Sequence, residues 1–253
     1  MEYSNERRVL TRNFLKVNND GIHHLRKGHY EDATYCFIEA MQGINRQMIS
    51  PPANVTPSSI PNESITPSYF VSLEGQDAVT SSPPSSHSLA EGGDMFLFRS
   101  ALLVSDIGEA ACSSDCSSCC PSSYSSNNNT ASTKSTFIAV LYNLALSYHL
   151  NALETRDLQS LTQALSYYQI AYRVVVSGTS APLPQVMAIF NNIGHVHRLL
   201  HDEDNAKSCF QHLLSVMMLV QQTGEIDRIK KWDGFFSNVT GLIGEGPNPA
   251  SAA

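Results

Sequence analysis

Three stretches of the chain place apolar residues three or four positions apart, as a helix with one buried face does. They cover residues 6–48, 135–176 and 183–222. Each is long enough for two antiparallel helices. Turn signals separate the helices at Gly28 and at 177–184. The pattern therefore predicts an all-α fold of stacked antiparallel helix pairs.

A shorter apolar pattern follows near the C-terminus, over residues 225–243, with Trp232 and Phe235 among its apolar positions. A stack of helix pairs leaves an apolar face on its last member, and a further amphipathic helix is the usual cover. We expect a capping helix here, with Trp232 in the core. Residues 244–253 are small and are predicted to form a flexible tail.

Residues 50–134 form an insertion of different composition, with eight of the chain's twelve prolines and several serine runs. Such a sequence buries too little apolar area to offset its chain entropy, so we expect it to be mostly disordered. One part differs: residues 95–104 are largely apolar and predict a strand or an extended segment held on the helical body. Residues 69–73 are the nearest pairing partner, which gives one or two short strands.

The predicted organisation is thus a first helix pair, the insertion, two further pairs with the capping helix, and the tail. The boundaries are 1–49, 50–134, 135–243 and 244–253.

Charge is unevenly distributed along the chain. The formal net charge is -7, and residues 50–135 hold eight acidic and two basic side chains. The remainder is close to neutral. Binding to nucleic acid depends on clustered Lys and Arg, so no nucleic-acid partner is expected.

Two features bear on location. The first sixteen residues lack the apolar run of a secretory signal, which favours a cytoplasmic or nuclear protein. Residues 135–153 carry no charge, but Asn143, His149 and other polar side chains would lie in hydrocarbon if the stretch crossed a membrane. A buried helix is the better interpretation, and no membrane partner is expected.

Small and aromatic residues recur at fixed intervals. The first stretch contains Gly21, Gly28, Tyr30, Ala33, Phe37 and Ala40. The third repeats part of this as Gly194, Ala206 and Phe210, and the second contains Ala145, Ala164, Tyr168 and Ala171 after a longer turn between His149 and Leu161. The pattern resembles the tetratricopeptide repeat, TPR, and implies about three TPR-like repeats. The insertion departs from the family's period of about 34 residues.

The resemblance implies a binding site. An asparagine stands two residues before the small packing residue of each first helix, at Asn19, Asn143 and Asn192. In the family this helix face lines a concave, solvent-open groove whose asparagines hold a peptide backbone. The implied peptide-binding residues are Asn19, Ile22, Arg26, Asn143, Leu146, Asn192 and His195. The alternative is that each asparagine only bonds a neighbouring helix or caps a local turn.

Catalytic motifs are missing from the sequence, and no enzymatic activity and no cofactor are expected. Adjacent His23 and His24 cannot chelate one ion from a single helix, and the same holds for His195 and His197. A mixed site assembled between helices stays open, although no metal site is predicted.

The predicted function is an intracellular scaffold that binds a partner protein or peptide. Two alternatives remain. The cysteines from Cys112 to Cys120 have spacing that suits a thiol or zinc-dependent regulator. Alternatively, the repeats serve self-association, as a homo-oligomer.

Overall fold

The computed structural model describes residues 2–49, 68–73, 95–104, 129–177, 183–223 and 232–244. This part of the chain is mostly helical, with seven helices and two strands, and the predicted helical fold class is confirmed at that level. The chain divides into two compact units. The first comprises residues 1–73 and 100–147, and the second residues 74–99 and 148–253.

Two helices, α1 (Glu2–Arg26) and α2 (Tyr30–Ile49), pack together in the first unit. The chain reverses at Gly28, whose φ of 75° suits a residue without a Cβ. Gly21 lets the helices approach closely, since a Cβ there would lie 2.6 Å from Cε1 of Phe37. Phe37 is fully buried. The predicted break and the predicted helix pair are both present.

The first unit also contains a two-stranded sheet. Strand β1 (Ser68–Ser72) pairs antiparallel with β2 (Ser100–Val104), and Phe70 lies opposite Leu102. The predicted pairing of residues 69–73 with the 95–104 segment is therefore correct. Residues 95–99, which precede β2, belong to the second unit and have no regular secondary structure.

The third helix, α3 (Asn129–Thr155), contributes residues up to Ser147 to the first unit and the rest to the second. The helix starts six residues before the predicted residue 135. The sequence pattern did not show these first turns, because they are rich in Ser and Thr and have no apolar periodicity. The longer turn predicted between His149 and Leu161 is wrong. Only Arg156 and Asp157 separate α3 from α4 (Leu158–Val176). Asp157 caps α4 by accepting the backbone N–H groups of its first turn.

In the second unit, α5 (Leu183–Leu199) packs on α4 and on α6 (Glu203–Thr223). A Cβ on Gly194 would lie 2.7 Å from the Phe210 ring, which repeats the contact between Gly21 and Phe37. The last helix, α7 (Trp232–Gly244), contacts α6 and α5 and buries Phe235 and Val239. The predicted C-terminal helix is thus present from residue 232 onward. Residues 224–231 and the side chain of Trp232 lie outside the described part.

One helical stretch among the described residues, Thr136–Thr155, is long and apolar enough to cross a membrane. Its mean hydropathy is 1.2, and 78% of the stretch is buried inside the structure. A core helix of a folded protein meets the same criteria.

Candidate peptide-binding site

In the second unit, the side chain of Asn192 bonds both backbone groups of one residue in the 95–104 segment. Oδ1 of Asn192 accepts the N–H of Phe98 at 3.2 Å, and Nδ2 donates to the carbonyl of Phe98 at 3.2 Å. The second proton of Nδ2 goes to the Tyr168 hydroxyl at 3.1 Å. Asn192 is fully buried. One carboxamide on α5 therefore satisfies a complete peptide residue.

A second residue of the segment is held in the same way from α7. Asn238 accepts the N–H of Phe96 at 2.9 Å and donates to its carbonyl at 2.7 Å. Asn191 donates to the same carbonyl at 3.1 Å and accepts from Nδ2 of Asn238 at 2.7 Å. Asn191 also donates to Oδ1 of Asn192 at 3.2 Å. The three asparagines thus form one connected network in which neighbouring amides fix each other's orientation.

Aromatic contacts hold the side chains of this part of the segment. The Phe98 ring stacks on Phe235 of α7 with centroids 5.0 Å apart, and the Phe96 ring meets Phe235 edge-on at 5.5 Å. Gly234 leaves room for Phe96, because a Cβ there would lie 2.5 Å from that ring. Phe98 is 4% exposed. Backbone bonding and aromatic packing therefore act on the same two residues.

The first unit contains an independent contact of the same kind. Oδ1 of Asn143 accepts the N–H of Leu102 at 2.8 Å, and Nδ2 donates to the Leu102 carbonyl at 2.9 Å. Nδ2 also donates to Oδ1 of Asn18 on α1 at 3.0 Å. Both asparagines are fully buried. The backbone N–H and carbonyl of Leu102 both point to Asn143. Because backbone groups alternate in direction along a strand, those of the neighbouring Ala101 and Leu103 point to β1.

These contacts have a defined chemistry. A carboxamide offers one acceptor and two donors, so it can pair with the N–H and the carbonyl of one residue whatever that residue's side chain. A strand edge bonds a peptide in the same sequence-independent way. The structure uses this pairing three times, at Phe96, Phe98 and Leu102, and each contact lies within a single unit.

The predicted site residues divide into four groups. Asn143 and Asn192 hold a peptide backbone, but they are buried beneath it rather than open to solvent. Asn19 and Arg26 are exposed. Ile22 and Leu146 are core residues, and His195 bonds another histidine as described below. The expected solvent-open stripe is therefore not present at Asn143 and Asn192, because the chain's own segment covers both.

Sequence reasoning missed the partners of these asparagines. The α1–α2 and α5–α6 pairs align with a constant offset of 173 residues, read from Gly21 and Gly194. The same offset relates the doublet Asn18-Asn19 to Asn191-Asn192. This repeated doublet is the sequence signal that marks Asn18 and Asn191 as members of the polar contacts. Asn238 had no comparable marker, because α7 has no equivalent in the other helix pairs.

A buried histidine pair lies in the second unit. Nε2 of His149 and Nδ1 of His195 are 3.0 Å apart, and Tyr168 packs edge-on against His149. Burial, the neighbouring His195 and the charge of Arg99 hold the pKa of His149 well below its usual range. Burial and Arg99 lower the pKa of His195 to about 4. The pair is therefore neutral at neutral pH.

Other candidate chemistry is outside the described residues, including the Cys112 to Cys120 cluster. The described cysteines, Cys36 and Cys209, are free and half-buried. Burial, followed by the charge of Asp202, raises the pKa of Cys209 to about 11. This thiol is therefore a poor nucleophile at neutral pH.

Comparison of the chain with protein-family models, with curated proteins and with solved structures gives no match.

Proposed function

We propose that this protein is a TPR-like interaction module that binds extended peptide segments by pairing buried asparagines with their backbone. The observation that carries the proposal is the two-bond pairing of Asn192 with Phe98, which recurs between Asn143 and Leu102 and between Asn238 and Phe96. Within the second unit residues 95–99 occupy Asn192 and Asn238, and within the first unit Leu102 of β2 occupies Asn143. A partner segment with the same chemistry would replace these residues.

The TPR-like assignment draws support from packing. Both α1–α2 and α5–α6 pack a helix glycine against a phenylalanine sixteen residues later, at Gly21 with Phe37 and at Gly194 with Phe210. Asn18 and Asn191 occupy equivalent positions in the two pairs, and both bond another asparagine. Repetition of packing and polar contacts is the property that defines a helical repeat.

The chemistry of the sites indicates which partner they accept. Asparagine pairing selects an extended backbone, whereas the pocket around Phe235 selects aromatic side chains two positions apart, as in Phe96 and Phe98. We therefore propose that partners present an extended segment with alternating aromatic residues. A cytoplasmic or nuclear location is proposed with it. Neither catalysis nor a cofactor is part of the proposal.

The test uses the full-length chain and a fluorescent peptide that copies residues 94–105. In the wild-type chain the tethered segment competes at an effective concentration in the millimolar range for short linkers, so peptide binding is weak. Replacing Phe96 and Phe98 of the chain with Asp places carboxylates in an apolar site and releases residues 95–99 from Asn192 and Asn238, while β2 keeps its own contacts in the first unit. We expect the peptide to bind this double variant at least about tenfold more tightly than the wild type, measured by fluorescence anisotropy.

Adding Asn192→Leu to the double variant is the specificity control, because leucine keeps the volume but has no donor or acceptor. The gain in binding should disappear. A peptide carrying the same two Asp substitutions should not bind. The proposal is wrong if a helical double variant fails to bind the peptide, or if Asn192→Leu leaves binding unchanged.

A further inference from the structure

Three metal-ligating side chains meet at the turn between α1 and α2. Nδ1 of His24 lies 3.7 Å from Oδ2 of Asp32, and Nδ1 of His29 lies 3.9 Å from the same oxygen. All three ligand atoms are within 4.8 Å of one another. Nδ1 of His24 is shielded from solvent and forms no hydrogen bond with any residue that the structure describes. The His24 side chain as a whole is 34% exposed, so the ring can turn to offer this nitrogen to an ion, which would supply the partner that it lacks among the described residues.

The backbone of the turn fixes the spacing of the three residues. The N–H of His29 bonds the carbonyl of His24 at 3.0 Å, and the N–H of Gly28 bonds the carbonyl of Leu25 at 3.1 Å. With Gly28 at positive φ, these two bonds form a Schellman motif, a common helix C-terminus. His24 is thus held on the last turn of α1, and His29 is the last residue of the motif. Asp32 follows in the first turn of α2.

The equivalent turn of the second unit has the same backbone geometry but different side-chain contacts. His201 has a φ of 58°, and the N–H of Asp202 bonds the carbonyl of His197 at 2.9 Å, so the motif is the same. There Nδ1 of His197 bonds Oδ2 of Asp202 directly at 3.0 Å. The position that corresponds to Asp32 is Asn205, which bonds Asp202 at 2.8 Å. The second turn is closed by the direct bond between His197 and Asp202, whereas in the first turn Nδ1 of His24 lies 3.7 Å from Oδ2 of Asp32, beyond hydrogen-bond distance.

The geometry points to a binding site for a divalent transition-metal ion, with zinc as the reference ion, made by His24, His29 and Asp32. Two imidazoles and one carboxylate are a ligand set that zinc accepts, and three protein ligands leave a fourth position for water. In a tetrahedral site with bonds of about 2.0–2.1 Å, ligand atoms lie about 3.3 Å apart. The observed separations of up to 4.8 Å close by rotation of exposed side chains.

The surroundings favour a cation. His29 and Asp32 have side chains that are 56% and 65% exposed, so an ion can reach them from solvent. Burial is the main cause of a raised pKa at the nearby Cys36 thiol, and the carboxylates of Asp20, Glu39 and Asp32 add to it. Acidic groups on both helices therefore act on Cys36. Because the ligands come from α1, the turn and α2, a bound ion would hold the two helices together.

The test is calorimetric titration of the metal-free, full-length chain with zinc chloride, beside two variants of exposed ligands, His29→Ala and Asp32→Asn. We expect the wild type to bind one more equivalent of zinc than His29→Ala. The affinity of Asp32→Asn should fall at least about tenfold, since even outer-shell changes cost that much. Zinc should raise the thermal midpoint of the wild type more than that of His29→Ala. His23→Ala, which alters an adjacent exposed histidine, is the matched control and should behave as wild type.

Cobalt(II) separates this site from the cysteines elsewhere in the chain. The spectrum of the cobalt-loaded wild type minus that of His29→Ala should show cobalt bands without a thiolate charge-transfer band, because the ligands are nitrogen and oxygen. Equal zinc stoichiometry in the wild type and in a folded His29→Ala variant overturns the proposal. A thiolate band in the difference spectrum also overturns it, because the lost ligand set would then include cysteine.

Discussion

The buried histidine pair shows how single residues set the pH response of the second unit. Both folded pKa values are lowered, that of His195 to about 4. An unfolded histidine has a pKa of about 6.5. The unfolded chain therefore binds more protons than the folded chain between these values, and the free energy of unfolding falls as the pH drops below about 6.5. The part of the loss that comes from His195 levels off only below its folded pKa of about 4.

We predict that His195→Gln reduces the acid sensitivity of the protein. From pH 7 to pH 5 the lowered pKa of His195 costs the folded state about 2 kcal/mol, and a side chain that does not titrate removes that cost. Urea unfolding of both proteins at the two pH values measures the difference. His23→Gln, an exposed position, should keep the wild-type loss. Equal losses in the wild type and in His195→Gln would contradict the pKa shift.

At the scale of elements, glycine and phenylalanine contacts set how closely paired helices approach. Gly21→Ala should destabilise the chain by about 1–3 kcal/mol from overpacking, against a gain of at most about 1 kcal/mol from replacing glycine inside a helix. Overpacking wins because Phe37 is fully buried and cannot move away from a Cβ 2.6 Å distant. Urea unfolding measures the change.

A double-mutant cycle isolates this contact. Phe37→Leu gives the new methyl group room, so the combination with Gly21→Ala should cost less than the sum of the two single changes, by about 0.5–3 kcal/mol. Gly194→Ala combined with Phe37→Leu is the control and should be additive, since Gly194 contacts Phe210 instead. Additivity in both cycles would refute the proposed contact.

The elements could be predicted from sequence to a large extent, for identifiable reasons. Periodicity located the helices because apolar positions recur every turn, and Gly28 marked the reversal because its positive φ favours glycine. The turn between α3 and α4 was predicted too long because no glycine or proline marks it, and Arg156 carries the positive φ instead. The pairing of β1 with β2 was predictable because residues 69–73 are the nearest apolar candidate in the sequence.

At the scale of the whole molecule, the asparagines were predictable and their occupant was not. Asn143 and Asn192 stand out by their register with the small packing residues. Their partners, Leu102 and Phe98, are 41 and 94 residues away in sequence, and local pattern carries no information on such contacts. The apolar composition of residues 95–104 predicts a segment packed on the helices. Only the structure shows that its backbone bonds the side chains of Asn143 and Asn192.

The central claim is that each asparagine holds the backbone of the residue it pairs with, and amide hydrogen exchange at single-residue resolution tests it most directly. In the wild type, the amides of Phe98 and Leu102 should both be protected. Asn192→Leu should speed exchange at Phe98 at least about tenfold, as loss of a buried hydrogen bond implies, and leave Leu102 protected. Asn143→Leu should do the reverse, so that each variant is the control for the other. Unchanged protection at Phe98 in Asn192→Leu and at Leu102 in Asn143→Leu would contradict the account.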